Sequence, residues 1–212
     1  MDSPPLVPYR TLKRVLDRAS AALLLVVLSP LIAAAFVVMA LDMVFEPRDR
    51  GAWLYRERRL SRCREFDLLK LRVLRTEALE RVRERGVWAG LEEGEANLTR
   101  AGRLLKRFYL DELPQLWNVL RGDLSLVGPR PWPPAMVREQ EAEGLDYRRT
   151  VMAGWTGPAQ VRKGVPGILY ADLDLAYVEA CRTWSQWRLV RFDVSVLWQT
   201  VRVLLRGEGL SY

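Results

Sequence analysis

Residues 109–133 read YLDELPQLWNVLRGDLSLVGPRPWP, and this stretch predicts a short helix that begins with two acids and ends in a loop rich in glycine and proline. Pro114 is tolerated only in the first turn of a helix, so we expect the helix to begin near Asp111. Arg121 should end it, because Gly122 can adopt the left-handed conformation that closes many helices. The apolar face of the predicted helix consists of Leu113, Leu116, Trp117 and Leu120.

The adjacent acids Asp111 and Glu112 allow two interpretations. Acidic residues are common at helix N-termini, because they satisfy free N–H groups and oppose the helix dipole, and this use is purely structural. Alternatively, two carboxylates at the mouth of a packed helix form a reactive or metal-binding site, and the following loop folds Arg130 back towards them. We expect structural roles for Asp123 and Ser125 in that loop.

Composition limits the chemistry that this chain of 212 residues can perform. It has 33 Lys and Arg against 26 Asp and Glu, a net charge of +7, which favours an anionic partner such as a phosphate-rich substrate, a phospholipid surface or nucleic acid. Because histidine is absent, Ser-His-Asp catalysis, a histidine base and the usual histidine-bearing zinc sites are excluded. Cys63 and Cys181 are predicted to be reduced and structural.

An uncharged, mostly apolar segment spans residues 19–41, ASAALLLVVLSPLIAAAFVVMAL. As a straight helix it would be about 35 Å long, enough to cross a bilayer. A cleaved signal peptide is disfavoured, because the run is long and no clear cleavage site follows it. A transmembrane helix and a re-entrant helix, which enters and leaves by the same face, remain as alternatives.

Two features favour re-entry. Ser29 and Pro30 lie in the middle of the run, where proline removes a backbone hydrogen bond and kinks the helix while serine can satisfy a carbonyl that the kink frees. Basic residues flank both ends, and the positive-inside tendency would keep both flanks in the cytoplasm. Proline also occurs in ordinary spanning helices, so the residues alone leave both topologies open.

A second basic element precedes the acidic pair. Alternating apolar residues between Phe66 and Leu74 predict a strand or hairpin, with Lys70 and Arg72 on its opposite face. A solvated basic edge is the plain interpretation of those two charges. Arg103, Lys106 and Arg107 add positive charge just before Asp111.

The run LDELPQLWNVLRGDLSLVGPRP resembles the signature of the bacterial sugar transferases, the monotopic phosphoglycosyl transferases that begin surface-glycan synthesis. The resemblance extends over most of the chain. It includes a KR-x-x-D start before a helix broken at Ser-Pro, and an element whose lysine and arginine face the site. The matching residues are Lys13, Arg14, Asp17, Ser29, Pro30, Arg59, Phe66, Lys70 and Arg72. Further similar elements surround Thr99, which is a candidate helix cap, and Asp174 to Val178, whereas Tyr109 stands where the family often has serine. Another similar element covers Gly154 to Val161, where the glycines suit either a close approach of the backbone to a ligand or a plain structural turn.

This resemblance implies a mixed α/β fold that is mostly helical. Residues 1–50 would form a re-entrant, kinked membrane helix broken at Ser29 and Pro30. Residues 51–212 would form a small catalytic domain with short strands and amphipathic interfacial helices, at the cytoplasmic face of the bacterial inner membrane. The arginine- and tryptophan-rich residues 185–205 suit that interface, although ordinary core packing is an alternative.

The resemblance also implies an activity, the transfer of a sugar 1-phosphate from a UDP-sugar to a polyprenyl phosphate such as undecaprenyl phosphate. Asp111 would be the nucleophile, and Glu112 would hold Mg²⁺. The substrate's phosphates would be bound by Lys70, Arg72, Arg107, Arg130 and Arg59. An aspartate of ordinary pKa, about 3.9, is ionised at neutral pH and therefore needs no histidine to attack phosphorus.

Expected partners are thus the UDP-sugar, the polyprenyl phosphate and membrane lipid, and the resemblance also allows a homodimer. Two other functions are alternatives. A membrane-tethered nucleic-acid-binding protein would need a recognised binding motif, and none is found in the sequence. A non-catalytic scaffold of the same fold would not need the acidic pair and its arginines, although Tyr109 is a change beside the site.

Overall fold

The computed structural model describes residues 5–85, 94–162, 164–165 and 167–206. The fold is mixed and mostly helical, as predicted, with two small sheets. The helices are α1 (Thr11–Val27), α2 (Ser29–Phe45), α3 (Thr76–Arg85), α4 (Arg100–Arg107), α5 (Gln115–Arg121), α6 (Pro134–Ala142), α7 (Tyr147–Thr150), α8 (Tyr170–Thr183) and α9 (Gln186–Arg206). The strands are β1 (Leu54–Ser61), β2 (Arg64–Leu71), β3 (Ser125–Val127) and β4 (Gly154–Thr156). Short 3₁₀ turns cover Pro47–Asp49, Glu95–Asn97, Leu110–Glu112 and Gln160–Arg162.

The two sheets are of different kinds. β1 and β2 pair as the predicted hairpin, through a tight turn in which Arg62 and Cys63 have φ angles of 48° and 61°. Positive φ at both central residues matches the twist of the strands that they join. β3 and β4 pair in parallel, with Ser125 opposite Gly154, although these strands are far apart in the sequence.

The apolar segment near the N-terminus forms two helices. α1 ends at Val27 and α2 begins at Ser29, and the pair is bent by 56°. The hydroxyl of Ser29 donates a 2.7 Å hydrogen bond to the carbonyl of Val26, a group that the break leaves without its helical partner. No single described helix is long and apolar enough to cross a bilayer, whereas α1 and α2 together meet that criterion by length and composition.

By packing, the chain divides into two units that alternate along the sequence. The first unit comprises Met1–Leu24, Glu57–Leu68 and Gln115–Tyr212, and the second comprises Leu25–Arg56 and Leu69–Pro114. The boundary predicted at residue 50 is a different division, because it separates a membrane-embedded part from a catalytic domain. That boundary stays a prediction.

In the second unit, one apolar core joins α2 to the end of β2, α3 and α4. Its centre includes Met39, Leu71, Leu74 and Leu105, each at most 2% exposed. Gly102 permits this packing, because a β-carbon there would lie 2.8 Å from the α-carbon of Val73. One face of α2 is therefore covered by other elements of its own unit.

The N-terminus of α4 is held by three side-chain caps in the second unit. The amides of its first three residues donate, in order, to a carboxylate of Asp49 at 2.9 Å, a carboxylate of Asp42 at 2.9 Å and the hydroxyl of Thr99 at 2.7 Å. These bonds satisfy groups that a helix leaves free at its start. The cap predicted at Thr99 is confirmed, and α4 has a fixed direction as it approaches the acidic pair.

The first unit contains a buried polar network that joins α1, β3, α8 and α9. The ammonium of Lys13 lies 2.7 Å from Asp193, which also accepts a 2.9 Å hydrogen bond from the hydroxyl of Tyr177. Ser125 donates to Asp17 at 2.6 Å. Burial raises the pKa of Asp193, and the Lys13 charge opposes that shift. The KR-x-x-D start thus supplies two buried residues that tie α1 into this unit.

Candidate active site

The acidic pair lies in a tight turn at the end of α4. Tyr109, with a φ angle of 55°, is in the left-handed region, and a 3₁₀ turn over Leu110–Glu112 follows it. The sequence predicted that an α-helix would begin near Asp111, but α5 begins at Gln115. Pro114 therefore precedes the α-helix, and a bulky residue in the left-handed conformation sharply reverses the chain beside the acids.

Asp111 and Glu112 are buried, at 6% and 8% exposure. The ammonium nitrogen of Lys70, near the end of β2, lies 3.7 Å from Oε1 of Glu112. Lys70 is itself mostly buried, so this charge pair is poorly screened by solvent. Within the second unit, the structure therefore brings together both predicted carboxylates and one of the predicted cations.

Arg72 lies in the same unit but is already engaged by the backbone. Its guanidinium donates to the carbonyls of Ala52 at 2.6 Å, Leu74 at 2.8 Å and Asp49 at 2.5 Å. Only 2% of Arg72 is exposed, and burial lowers the pKa of its guanidinium. The sequence placed Arg72 on a face opposite the apolar residues, whereas the structure encloses it and gives it a structural role; its predicted contact with phosphate stays a prediction.

Arg107, the last residue of α4, is exposed. Its guanidinium carbon lies 5.8 Å from the centre of the Phe108 ring, within the range of a cation–π interaction. Phe108 is 58% exposed. An exposed arginine beside the acidic turn can be reached by solutes, and the predicted binding of substrate phosphate by Arg107 stays a prediction.

Arg59 and Arg130 belong to the first unit, where β1 runs beside the loop that follows β3. Arg59 is buried, donating to a carboxylate oxygen of Glu57 at 2.6 Å and to the carbonyl of Pro131 at 3.3 Å. The amide of Leu60 donates to the carbonyl of Trp132 at 3.0 Å. Arg59 thus supports the loop that carries Arg130, and Arg130 itself is half-buried.

A second support for this loop was missed by the sequence analysis. Arg148 donates to the carbonyl of Arg130 at 3.0 Å and to a carboxylate oxygen of Asp174 at 2.7 Å. Its guanidinium carbon also lies 4.0 Å from the centre of the Trp132 ring. Burial raises the pKa of Asp174, and the Arg148 charge opposes that shift. The similarity around Asp174 marked one end of this contact, but no local pattern marks Arg148.

Gly154 and Gly157, at and after β4, pack against Gly128, in the loop that follows β3. A β-carbon on Gly154 would lie 2.6 Å from the α-carbon of Gly128, and one on Gly157 would lie 3.1 Å from its carbonyl carbon. The Gly128 amide donates to the carbonyl of Thr156, and the Gly154 amide donates to that of Pro129, both at 2.9 Å. These contacts favour the structural interpretation of the Gly154 element over a close approach to a ligand.

The apolar face predicted for α5 is partly wrong. Leu113 and Leu116 are buried as expected, but Trp117 is 49% exposed, and Asn118 is fully buried instead. The amide of Asn118 donates to the carbonyl of Asp67 and to a carboxylate oxygen of Asp123. Gly122 has a φ of 89°, so the predicted left-handed helix end is confirmed.

α9 exposes an apolar stripe, and its opposite face is buried. Trp187 and Trp198 are 67% and 63% exposed, whereas Leu189 and Val196 are buried. The stripe therefore is not core packing, which was one of the two interpretations of this segment. An exposed stripe of aromatic and aliphatic residues flanked by arginines is typical of a helix at a membrane interface.

The candidate metal ligands at the acidic turn are the carboxylates of Asp111 and Glu112. No group of three or more histidine, cysteine, aspartate or glutamate side chains is suitably placed to hold a metal within the described ranges. A zinc or calcium site whose ligands all come from the protein needs more side chains than the two carboxylates of this turn. Mg²⁺ commonly uses one or two carboxylates together with water and substrate phosphates, and Asp111 and Glu112 fit that pattern.

Comparison with known proteins identifies the family of this chain. A sequence profile of the family described as "Bacterial sugar transferase" matches residues 8–207. The chain is 37% identical over 97% of its length to a UDP-glucose:undecaprenyl-phosphate glucose-1-phosphate transferase of Caulobacter vibrioides, covering 74% of that protein. It is 34% identical, over 94% of its length in each case, to a UDP-galactose-lipid carrier transferase of Erwinia amylovora and to the uncharacterized sugar transferase EpsL of Bacillus subtilis. The chain spans 42% of the Erwinia protein and 90% of the Bacillus protein.

Proposed function

The chain belongs to the bacterial sugar transferase family, and from that premise we propose that it transfers a sugar 1-phosphate from a UDP-sugar to a polyprenyl phosphate. The products are a polyprenyl diphosphate sugar and UMP. The relatives' names support this reaction class, since the Caulobacter protein is named for glucose 1-phosphate transfer to undecaprenyl phosphate. The product would be the first lipid-linked intermediate of a surface glycan.

The observation that carries the proposal is the buried acidic turn with its lysine. Asp111 and Glu112 are adjacent, less than a tenth exposed, and accompanied by Lys70 at 3.7 Å from Glu112. A carboxylate that only capped a helix would not need a buried ammonium group beside it. Lys70 offsets part of the repulsion that two carboxylates exert on each other and on an incoming diphosphate.

The chemistry proceeds in two displacements at one phosphorus atom. A carboxylate oxygen of Asp111 attacks the β-phosphorus of the UDP-sugar, and the bond from that phosphorus to the bridging oxygen breaks, so that UMP leaves with the electron pair. A phosphate oxygen of the polyprenyl phosphate then attacks the same phosphorus, and the bond to Asp111 breaks. Asp111 is regenerated as a carboxylate, which makes the reaction ping-pong.

Magnesium fits this site through Glu112, with Asp111 adjacent to it. When bound, Mg²⁺ would neutralise phosphate charge and favour departure of the UMP phosphate. The chain's own contribution is to hold both carboxylates in one turn and to keep most of the solvent away from them. Lys70 limits the negative charge that Glu112 presents before substrate arrives.

The remaining cations are assigned to substrate phosphate and nucleotide. Arg107 is exposed at the end of α4, and Arg130 lies on a loop that is supported by Arg59 and Arg148. A guanidinium group can bind phosphate through two parallel hydrogen bonds, so a rigidly held arginine also orients the phosphate. Arg72 contributes positive charge from a buried position.

We place the reaction at the cytoplasmic face of the inner membrane. The bent pair of α1 and α2 is proposed to be re-entrant, because basic residues flank both of its ends. The exposed stripe of α9 would rest on the same surface. This arrangement suits an acceptor whose phosphate lies at the level of the lipid headgroups.

The proposal is tested by incubating the purified chain, in nonionic detergent, with a panel of UDP-sugars, Mg²⁺ and polyprenyl phosphate. We expect UMP release with at least one donor, dependence on the lipid phosphate, and loss of release when Mg²⁺ is chelated. Absence of UMP release across the panel, from protein that unfolds cooperatively on heating, would reject catalysis and favour a scaffold of the same fold.

A further inference from the structure

The first unit contains a cavity of about 520 Å³ whose walls are strongly basic. Five arginines line it, against two acidic residues. We call it the arginine cavity and define it by Arg14, Arg18, Arg62, Arg64 and Arg121. None of these residues is among those that the proposed transfer uses.

Separate segments hold these arginines in place. Arg14 and Arg18 lie one turn apart on α1, whereas Arg62 lies in the turn between β1 and β2 and Arg64 begins β2. The amide of Arg62 donates to the carbonyl of Val151 at 3.0 Å, which anchors that turn. The cavity is therefore built by the fold and does not depend on one mobile loop.

Arg18 and Arg121 meet at the C-terminal end of α5. A terminal nitrogen of Arg18 donates to the carbonyl of Arg121 at 3.3 Å. A cation here interacts favourably with the negative end of the helix dipole. This contact gives Arg18 a structural use, and Arg121 is paired with Asp123, so the charges without such a use are those of Arg14, Arg62 and Arg64.

Most of the positive charge in the cavity is not neutralised by the protein. No side-chain hydrogen bond or ion pair within the described ranges engages Arg14, Arg62 or Arg64, and Nε of Arg62 is buried without a partner. Of the two acids, Glu65 lies 3.7 Å from Arg58, which is outside the cavity, and Asp123 lies 3.5 Å from Arg121. Clustered like charges repel one another, so an anion in the cavity would stabilise the fold.

We propose that the arginine cavity binds a phosphate-bearing ligand, either a soluble organic phosphate or the headgroup of an anionic lipid. Guanidinium groups recognise phosphate oxygens by paired, charge-assisted hydrogen bonds. The volume is that of a typical ligand pocket and exceeds the size of a single phosphate. Leu6, Phe66 and Met152 also line the cavity and can contact an apolar part of the ligand.

Cys63 reports occupancy from beside the cavity, because its exposed thiol lies between Arg62 and Arg64, which line the cavity, although Cys63 is not itself a lining residue. The thermal midpoint with and without diphosphate is a second readout that does not depend on this thiol. The full chain in nonionic detergent is treated with a maleimide, with and without millimolar inorganic diphosphate. The same reaction is run in nanodiscs of phosphatidylglycerol and of phosphatidylcholine. Cys181 is buried and should not contribute. Labelling is independent of sugar transfer, so the result stands whether or not the proposed activity is found.

The variant Arg14→Gln with Arg64→Gln removes two exposed cavity charges that hold no partner, so folding should be preserved. The matched control, Arg83→Gln with Arg138→Gln, removes two exposed charges elsewhere. We expect diphosphate or phosphatidylglycerol to slow labelling of Cys63 severalfold in the wild type and control. In the cavity variant, half-protection should need about tenfold more of the same probe, since charged hydrogen bonds are lost.

The two probes distinguish the source of the phosphate. Protection by diphosphate assigns a soluble ligand, and protection by phosphatidylglycerol alone, without protection by phosphatidylcholine, assigns a lipid headgroup. The proposal is overturned if neither probe slows labelling and diphosphate does not raise the thermal midpoint of the wild type, or if the cavity variant responds to the probes as well as the wild type. Equal protection by the two lipids would indicate simple coverage by the membrane and would also overturn it.

Discussion

The ammonium nitrogen of Lys70 lies 3.7 Å from Oε1 of Glu112, and the two side chains are only 13% and 10% exposed. The contact joins the end of β2 to the turn that carries Asp111. Charges separated by this distance interact strongly when solvent is largely excluded. The relationship therefore makes Lys70 part of the proposed site, and its removal gives a first test.

Replacing Lys70 with glutamine should lower the maximal rate of UMP release by roughly 100-fold, because a preorganised charge at the reacting phosphate is lost. The thermal midpoint should fall only modestly, since glutamine, although shorter than lysine, remains polar and can still donate a hydrogen bond. Arg83→Gln, an exposed change in the same unit, is the control and should retain wild-type turnover. Full activity of Lys70→Gln would remove Lys70 from the site.

Arg72 should behave as a structural residue. Arg72→Met leaves three carbonyl groups without their donor, two of them in buried hydrogen bonds, so we expect a loss of about 3 kcal/mol in the free energy of unfolding. Thermal unfolding in detergent measures this loss, with Lys70→Gln as the comparison. If Arg72→Met unfolded at the wild-type temperature but released no UMP, a direct role at phosphate would be indicated instead.

Gly154 should not tolerate a side chain. A β-carbon there would meet the backbone of Gly128, so Gly154→Ala should separate β3 from β4 and destabilise the first unit by about 2 kcal/mol or more. Gly94→Ala is the matched control, because nothing lies within 4 Å of its added methyl group. A lowered thermal midpoint for Gly154→Ala alone is expected, and equal midpoints would contradict the packing described.

The two thiols should differ sharply in their reactivity towards maleimide. Burial raises the pKa of Cys181 to about 11, although the Lys13 charge opposes the shift. Since only the thiolate reacts, native protein at neutral pH should take up one equivalent of maleimide, at Cys63. A second equivalent should appear as the pH approaches that pKa, or at once in denaturant. Two equally fast reactions at neutral pH would show that Cys181 is accessible.

Local chemistry was sufficient to predict several features from the sequence. The apolar pattern from Phe66 to Leu74 predicted a strand or hairpin where β2 lies, and Thr99 and Gly122 were recognised as helix-end residues. Each depends on interactions between residues near one another in the chain, which sequence patterns record directly. Similarity to the family, and not physical reasoning alone, selected Asp111 and Glu112 as more than a helix start.

Features that depend on distant partners were missed. The parallel pairing of β3 with β4 joins segments that no local pattern connects. Arg72 looked like a surface charge beside Lys70, but the carbonyls that enclose it come from elsewhere in its unit. Trp117 was assigned to the core because of its spacing, yet helical spacing alone does not say which of two adjacent faces is buried. No sequence pattern predicted the contacts of Arg148.

The central claim is that Asp111 forms a bond to the phosphorus of the donor. Its most direct measurement is intact-protein mass spectrometry after incubation with Mg²⁺ and an active UDP-sugar, without the lipid acceptor. We predict a mass increase equal to one sugar phosphate, mapped by peptide analysis to Asp111, removed on adding polyprenyl phosphate and absent from Asp111→Asn. The account is contradicted if no adduct forms while UMP is released on adding acceptor, or if Asp111→Asn turns over at the wild-type rate.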